Sequence, residues 1–131
     1  MNEKKRCYVI AARNQLDLAD MTFNLALAGV DFSVGRGFYA GRYEPVALVV
    51  TDSQHIPRVI ARLHGQRSYL AVSENDRQAY DVDVDTGYHK ALGKLCAVDA
   101  NQARDLDAWT DINGQYYSTT GRVGADLPEG F

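Results

Sequence analysis

Residues 46–51 read Val-Ala-Leu-Val-Val-Thr, a run that is apolar at five consecutive positions instead of alternate ones. Such a run is typical of a strand in a sheet that is covered on both faces. Further strand-like runs lie at residues 8–12, 30–34 and 68–72. The chain therefore offers four strands for one sheet.

Two helices are predicted between these strands. Asn14 and Asp17 have the spacing of a capping box, and apolar residues behind them recur at helical intervals. These residues are Leu16, Ala19, Phe23, Ala26 and Leu27. Ser53 opens the second helix, with an apolar stripe of Ile56, Val59, Ile60 and Leu63. The order β-α-β-β-α-β is that of a split βαβ unit, an antiparallel sheet with two helices on one face.

The rest of the chain is predicted to add a β-hairpin, a short helix and a last strand. Residues 79–85 alternate between apolar and acidic residues, and Thr86-Gly87 turns the chain into a sixth strand at 89–98. Asp99 and Gln102 have capping-box spacing, and residues 115–118 form the last strand. We expect an α+β fold, with one domain at residues 1–118 and a flexible tail at 119–131.

This arrangement leaves one face of the sheet without cover. Two helices shield one side only, whereas residues 46–50 are apolar on both sides. Association with further copies of the chain would cover the second face. We therefore expect a homo-oligomer.

Charge and composition limit the function. The 131 residues include 14 Lys+Arg and 17 Asp+Glu, a formal net charge of −3, which argues against a nucleic-acid binder that works by blanket phosphate neutralisation. No sequence-specific nucleic-acid partner is expected either. No apolar stretch suggests a signal peptide or membrane span, so a cytoplasmic protein is expected. Cys7 and Cys96 lie in apolar runs and are interpreted as small buried residues.

The glycine-rich segment 35–42 fits G-x-G-x-x-A as a string, but no helix follows it, so a dinucleotide-binding turn is disfavoured. Its composition still suits a nucleotide-sized anionic pocket. Arg36 and Arg42 can hold phosphate oxygens, and Phe38 and Tyr39 can stack on a base. A twisted hairpin whose glycines form a bulge is the alternative interpretation.

A second polar segment has similar chemistry. Tyr69 lies in the fourth strand, and the following turn carries Asn75 and Arg77. Asn can read an adenine edge and Tyr can stack on the ring, although both are also ordinary strand and turn residues. Together the two segments predict one ligand pocket.

Signals for metal binding and catalysis are weak. Residues 81–87 resemble the start of a calcium loop, but glycine stands at the seventh position and Leu92 at the twelfth, so a solvated acidic strand face is favoured. The histidines, at 55, 64 and 89, have no obvious Cys, Ser or Asp partner. We expect no catalytic residues, no metal and no cofactor.

Several short motifs together resemble a known family. They are the opening at residues 8–14, the G-x-Y-x-G-x-x-E run at 37–44, the Gly65-Gln66-x-Ser68 step, the turn at 75–77 and Leu92-Gly93. In these the chain resembles the bacteriophage Thoeris anti-defence family of the sponge type, over residues 7–98. Pro45 departs from the small polar residue expected after Glu44, which leaves the role of Glu44 open.

The resemblance implies a phage protein of the host cytoplasm that is no enzyme. As a homo-oligomer it would bind and sequester a nucleotide immune signal of the cyclic ADP-ribose type, or a cyclic oligonucleotide. By the same resemblance Arg36, Tyr39, Arg42, Tyr69, Asn75 and Arg77 would line the pocket. An alternative is a module that inhibits a host protein through its exposed sheet face or acidic strand. A nucleotide hydrolase or phosphodiesterase is the third hypothesis.

Overall fold

The structure is a computed structural model that describes residues 6–39, 41–73 and 76–119. The predicted tail therefore lies outside the described residues except for Thr119. None of the described helices is long and apolar enough to cross a membrane. The elements are β1 (Arg6–Ala11), α1 (Gln15–Leu27), β2 (Asp31–Tyr39), β3 (Arg42–Thr51), α2 (His55–Leu63), β4 (Ser68–Val72), β5 (Gln78–Asp83), β6 (His89–Lys94), β7 (Cys96–Val98), α3 (Ala100–Arg104), β8 (Ala108–Ile112) and β9 (Gln115–Ser118).

The strands form one antiparallel sheet in the order β6-β5-β4-β1-β3-β2-β8-β9-β7. The central pair, β1 and β3, is in register from Arg6 opposite Thr51 to Ala11 opposite Val46. Strand accounts for 49% and helix for 24% of the structure, so the protein is mostly antiparallel sheet with three small helices.

The two edge strands of this order are consecutive in the chain. Only Leu95 separates β6 from β7. The end of β6 and the start of β7 therefore lie within roughly 7 Å of each other. The sheet must curl until its edges meet. A Cβ built at Gly93 in β6 would lie 3.5 Å from the carbonyl oxygen of Thr119, just after β9. The result is a nearly closed, barrel-like sheet.

The predicted α+β fold class is therefore wrong. The order β4-β1-β3-β2 with α1 and α2 is present, but it forms part of a larger curled sheet. The prediction treated residues 89–98 as a single strand and did not include β8. The chain instead leaves one edge of the sheet at Lys94 and starts the opposite edge at Cys96.

Closure covers the second face of the sheet from within. Alternate residues of β1 point to opposite sides: Tyr8 and Ile10 pack under the helices, whereas Cys7 and Val9 face the interior of the curl. The interior cluster joins the two ends of the sheet: Cys7, Val9, Val46, Leu48, Val72, Ala79, Leu95, Ile112 and Tyr117. The uncovered face on which the expected homo-oligomer rested does not exist, and the same face is not available to a host protein.

Helix α1 buries a different set of residues from the predicted one, whereas α2 buries part of its predicted stripe, since Ile60 is buried and Ile56 packs against the core. The buried side chains of α1 include Leu18, Met21 and Leu25, while the predicted stripe from Leu16 to Leu27 faces solvent. In α2, Ile60 is buried and Val59 and Leu63 are exposed.

Local signals at the helix starts are confirmed. The Asn14 side chain accepts a hydrogen bond from the Asp17 amide, and Asp99 with Gln102 forms a complete capping box. Cys7 and Cys96 are both buried.

The glycine-rich segment is a fully paired hairpin. Gly35 and Gly37 lie within β2, between β3 and β8. A Cβ at Gly35 would overlap the Asp111 carbonyl and lie 2.7 Å from Ile112 Cδ1, whereas one at Gly37 would lie 3.2 Å from Val46 Cγ1. Gly35 is therefore required for the close approach of β8.

We expect Gly35→Ala to lower the free energy of unfolding by about 2–4 kcal/mol, because the β8 backbone must move away from β2. Gly37→Ala should cost less, because the Val46 side chain can yield by a few tenths of an ångström. Urea denaturation of both variants measures the difference. Equal losses of unfolding free energy in the two variants would contradict a close approach of the β8 backbone to Gly35.

Candidate functional site

The four predicted site residues of the hairpin point to two different faces. Arg36 and Phe38 share one face of β2, and Tyr39, the next residue, points to the other. Arg42 is paired directly with Tyr39 and shares its face. The hairpin therefore does not bring its two arginines together.

Arg36 is held by neighbouring side chains. Its Nε donates to Asp111 Oδ2 at 3.1 Å and its Nη2 to the Tyr116 hydroxyl at 2.9 Å. The guanidinium also lies 5.4 Å from the Trp109 ring centroid, and Phe38 stacks on the same ring. This pairing with a carboxylate leaves Arg36 poorly suited to a phosphate.

The two predicted turns lie at opposite ends of the sheet. Val72, before the β4–β5 turn, pairs with Cys7, which pairs with Val50 near the end of β3. Gly41, at the β2–β3 turn, is nine residues from Val50, roughly 30 Å along the strand. Within one subunit these turns line no common pocket.

The remaining predicted residues of the β4–β5 turn are only partly described. Asn75 lies outside the described residues. Arg77 has a positive φ of 58°, its amide donates to the Ser73 carbonyl and its own carbonyl accepts from Leu95. Its backbone thus ties the turn to the link between β6 and β7. A pocket built from both predicted turns would need two subunits and stays a prediction.

Tyr69 lies in a cavity of about 210 Å³ on the helix-bearing face of the sheet. We call it the tyrosine cavity. Its floor comes from β1, β4, β5 and β6, and its wall from the start of α2 and the β5–β6 turn. The lining residues are Arg6, Tyr8, Gln54, His55, Arg58, Tyr69, Ala71, Val72, Ser73, Tyr80, Val82, Gly87 and His89.

Strand register explains the hollow. Tyr8 of β1 is opposite Ala71 of β4, and Ala71 is opposite Tyr80 of β5. The methyl group of Ala71 thus lies between two large rings in one row across the sheet. In the next row Tyr69 is opposite Val82, which is opposite His89. The Tyr8 and Tyr69 ring centroids are 6.1 Å apart.

Arg58 of α2 fixes the turn that closes the cavity. Its Nε donates to the Val84 carbonyl at 2.7 Å and its Nη2 to the Asp85 carbonyl at 2.8 Å. A Cβ at Gly87 would lie 3.2 Å from Nη1 of Arg58. The guanidinium is thus held rigidly at the cavity wall by neutral carbonyl groups.

The tyrosine cavity is lined by four basic side chains, Arg6, His55, Arg58 and His89, and none of its described lining residues has a carboxylate. Asp83, outside this lining, is a carboxylate whose pKa is lowered mainly by hydrogen bonds within its own turn, and the charge of Arg58 helps to lower it. Such a basic lining favours an anionic ligand.

The tyrosine hydroxyls add hydrogen-bond donors. Burial raises the pKa of Tyr8, an effect that the charge of Arg6 partly opposes. Burial also raises the pKa of Tyr69, where Tyr8 adds to the effect and Arg58 opposes it. Both hydroxyls are therefore protonated at neutral pH and can donate to a ligand oxygen.

The Tyr8 hydroxyl is buried, and among the described residues it makes no hydrogen bond of ordinary geometry, although hydrogen bonding from the Arg6 side chain helps to lower its pKa against the larger effect of burial. Tyr8 as a whole is 3% exposed. A buried hydroxyl without a well-formed hydrogen bond costs up to about 1–3 kcal/mol.

A buried Asp–His pair forms a second cluster, between the two helices. His64 Nδ1 lies 2.7 Å from Asp17 Oδ1, and His64 Nε2 lies 3.2 Å from Asn24 Nδ2. A carboxylate only accepts, so His64 Nδ1 donates to Asp17, while the Asn24 side chain takes up Nε2. The pair joins α1 to the end of α2, and His64 does not line the tyrosine cavity.

Sequence reasoning missed most of these residues. It assigned no partner to His64, and it did not include Arg6, Tyr8, Arg58 or His89 in a site. The alternation of apolar and acidic residues in β5 did predict that Tyr80 and Val82 share one face. This was the local sequence signal that pointed to part of the cavity lining. The register that sets them beside Tyr8 joins strands distant in the sequence.

We expect Tyr8→Phe to leave the ligand-free protein as stable as the wild type, or more stable by up to about 2 kcal/mol, because it removes a buried hydroxyl that lacks a well-formed hydrogen bond. Thermal and urea unfolding measure this. The exposed Tyr39→Phe is the matched control and should change nothing. A clear loss of stability in Tyr8→Phe would show that the hydroxyl has a partner.

Asp17 should contribute to stability in a pH-dependent way. Hydrogen bonds from the Arg13 side chain, and further ones from the Arg13 amide and His64, lower its pKa well below the ordinary value of 3.8 against the opposing effect of burial. The contribution of Asp17 to the free energy of unfolding is therefore complete above about pH 5. It is lost as the pH falls through 3.8 and below.

Asp17→Asn should cost about 2–4 kcal/mol at pH 7, because it breaks a buried pair. The difference from wild type should shrink as the pH falls from 5 towards 2, as measured by urea titrations across this range. The exposed Asp107→Asn serves as control. A difference that is independent of pH would exclude a buried carboxylate as its source.

Comparisons with known proteins give no family for this chain. A scan against models of protein families finds no match, and a search of curated proteins finds none either. The resemblance to the Thoeris anti-defence family stays a prediction.

Proposed function

We propose that the protein binds a nucleotide-type small molecule in the tyrosine cavity and holds it without turnover. The observation that supports this is the combination of three tyrosines with four basic side chains and no described carboxylate in one cavity. Tyrosine rings stack on a base, and arginine and histidine side chains pair with phosphate oxygens.

The basic side chains of the cavity are consistent with binding a ligand without converting it. General base catalysis by histidine uses a partner that orients the ring, most often a carboxylate. Among the described lining residues no carboxylate orients His55 or His89. His89 Nδ1 instead lies 2.7 Å from the Gly87 carbonyl, which orients the ring within its own turn.

The cavity size limits how much of a ligand it encloses. About 210 Å³ is below the roughly 300–1,000 Å³ of pockets that enclose a drug-sized ligand. One base or one phosphate with its sugar fits, and a ligand of the ADP-ribose type extends beyond the mouth. Sequestration of a signal needs nanomolar binding, about −12 kcal/mol. Protein surface over the part of the ligand outside the mouth would help to provide this affinity.

The test compares arginines at the two ends of the sheet. Arg6→Ala should weaken binding of ADP-ribose and of AMP about tenfold or more, because a charge-assisted hydrogen bond is worth about 1.5–3 kcal/mol. Arg42→Ala, also exposed but at the far hairpin, is the matched control and should bind as the wild type does. Isothermal titration calorimetry with the full chain gives both constants.

Recovery of the ligand tests the absence of turnover. After incubation and heat denaturation, chromatography should return ADP-ribose and its cyclic isomers unchanged. Cleaved ligand would support a hydrolase. Equal loss of binding in Arg6→Ala and Arg42→Ala would contradict the cavity as the site and favour a pocket shared between two subunits.

A further inference from the structure

The exposed side of α1 carries an apolar stripe with heptad spacing. Leu16, Ala19, Phe23 and Ala26 follow one another at intervals of three, four and three residues, and all four are exposed. Leu16 is 77% and Phe23 65% exposed. Intervals of this kind, repeated over a helix, place one seam against another helix.

The neighbouring helix α2 extends this apolar surface. Val59 and Leu63 lie one helical turn apart and are 61% and 62% exposed. The two helices touch each other through Asn24 and His64. We call the five large side chains Leu16, Phe23, Leu27, Val59 and Leu63 the outer helix surface.

The area of the outer helix surface is that of an interface. At roughly 150–200 Å² for each large apolar side chain, the five present about 500–670 Å² of apolar area. Isolated exposed apolar residues are ordinary, but the apolar area that these five side chains present together lies at the upper end of the roughly 300–600 Å² of the largest patches on monomers, which are often functional. A stable dimer buries about 800 Å² on each partner, which this patch and its rim can supply.

We propose that a second copy of this chain docks on the outer helix surface in a two-fold symmetric dimer. The charges at its rim are self-complementary: Asp20 is the exposed acid of α1, and Arg62 is an exposed base of α2. If α1 of one copy lies on α2 of the other, Asp20 meets Arg62 of the other copy, and symmetry repeats the pair. Ala19 and Ala26 allow the helices to approach closely.

The first experiment measures the mass of the full chain by sedimentation equilibrium between about 1 and 100 μM, where an interface of this size should hold. The wild type should be a dimer. Phe23→Glu should raise the dissociation constant about 100-fold or more, because both copies lose a buried ring and gain a charge. Tyr39→Glu, equally exposed at the far hairpin, should stay dimeric.

The second experiment tests the charge pair. Asp20→Arg alone should weaken the dimer about tenfold, and adding Arg62→Asp should restore it. Arg62 also donates to the Val84 carbonyl, so circular dichroism melts confirm that each variant is folded. A wild-type monomer at 100 μM would overturn the proposal. A dimer that Phe23→Glu leaves intact, or a larger assembly, would overturn it as well.

Discussion

The chain passes from one edge of a nine-stranded sheet to the other through a single residue, Leu95. An open twisted sheet of this width has its edges far apart, so this short link forces the sheet to curl. The curl turns one face inward, where Val9 and Leu48 meet Ile112 from the far end. It also explains why residues 46–50 are apolar on both sides: one side packs under the helices and the other fills the interior.

Features that depend on neighbouring residues were predictable, and those that depend on closure were not. The last strand at 115–118 and the Asp99 cap follow from local patterns, and both are observed. Helical periodicity in α1 was ambiguous, because Leu18, Met21 and Leu25 have the same three-four spacing as the exposed stripe. Which stripe is buried is decided by tertiary contacts, among them the bond of Asp17 to a histidine 47 residues away. Residues 89–98 divide at Leu95 because the two edges meet there.

The same distinction holds for the candidate site. Composition grouped Arg36 with Arg42, although strand alternation alone already placed Arg36 on the face opposite to Tyr39. The tyrosine cavity could not be found from local sequence, because Tyr8, Ala71 and Tyr80 come from three strands whose register only the folded sheet defines. Tyr69 was chosen for its chemistry, and its partners in the cavity are residues that carry no recognisable motif.

Helix α2 links the cavity to the outer helix surface. Arg58 faces the cavity and Val59, the next residue, faces solvent, so one nine-residue helix serves both. The Arg58 bonds to the β5–β6 turn fix α2 on one side, and the His64 bonds to α1 fix it on the other. A ligand that contacts Arg58 and a second copy that contacts Val59 would thus both favour the same position of α2.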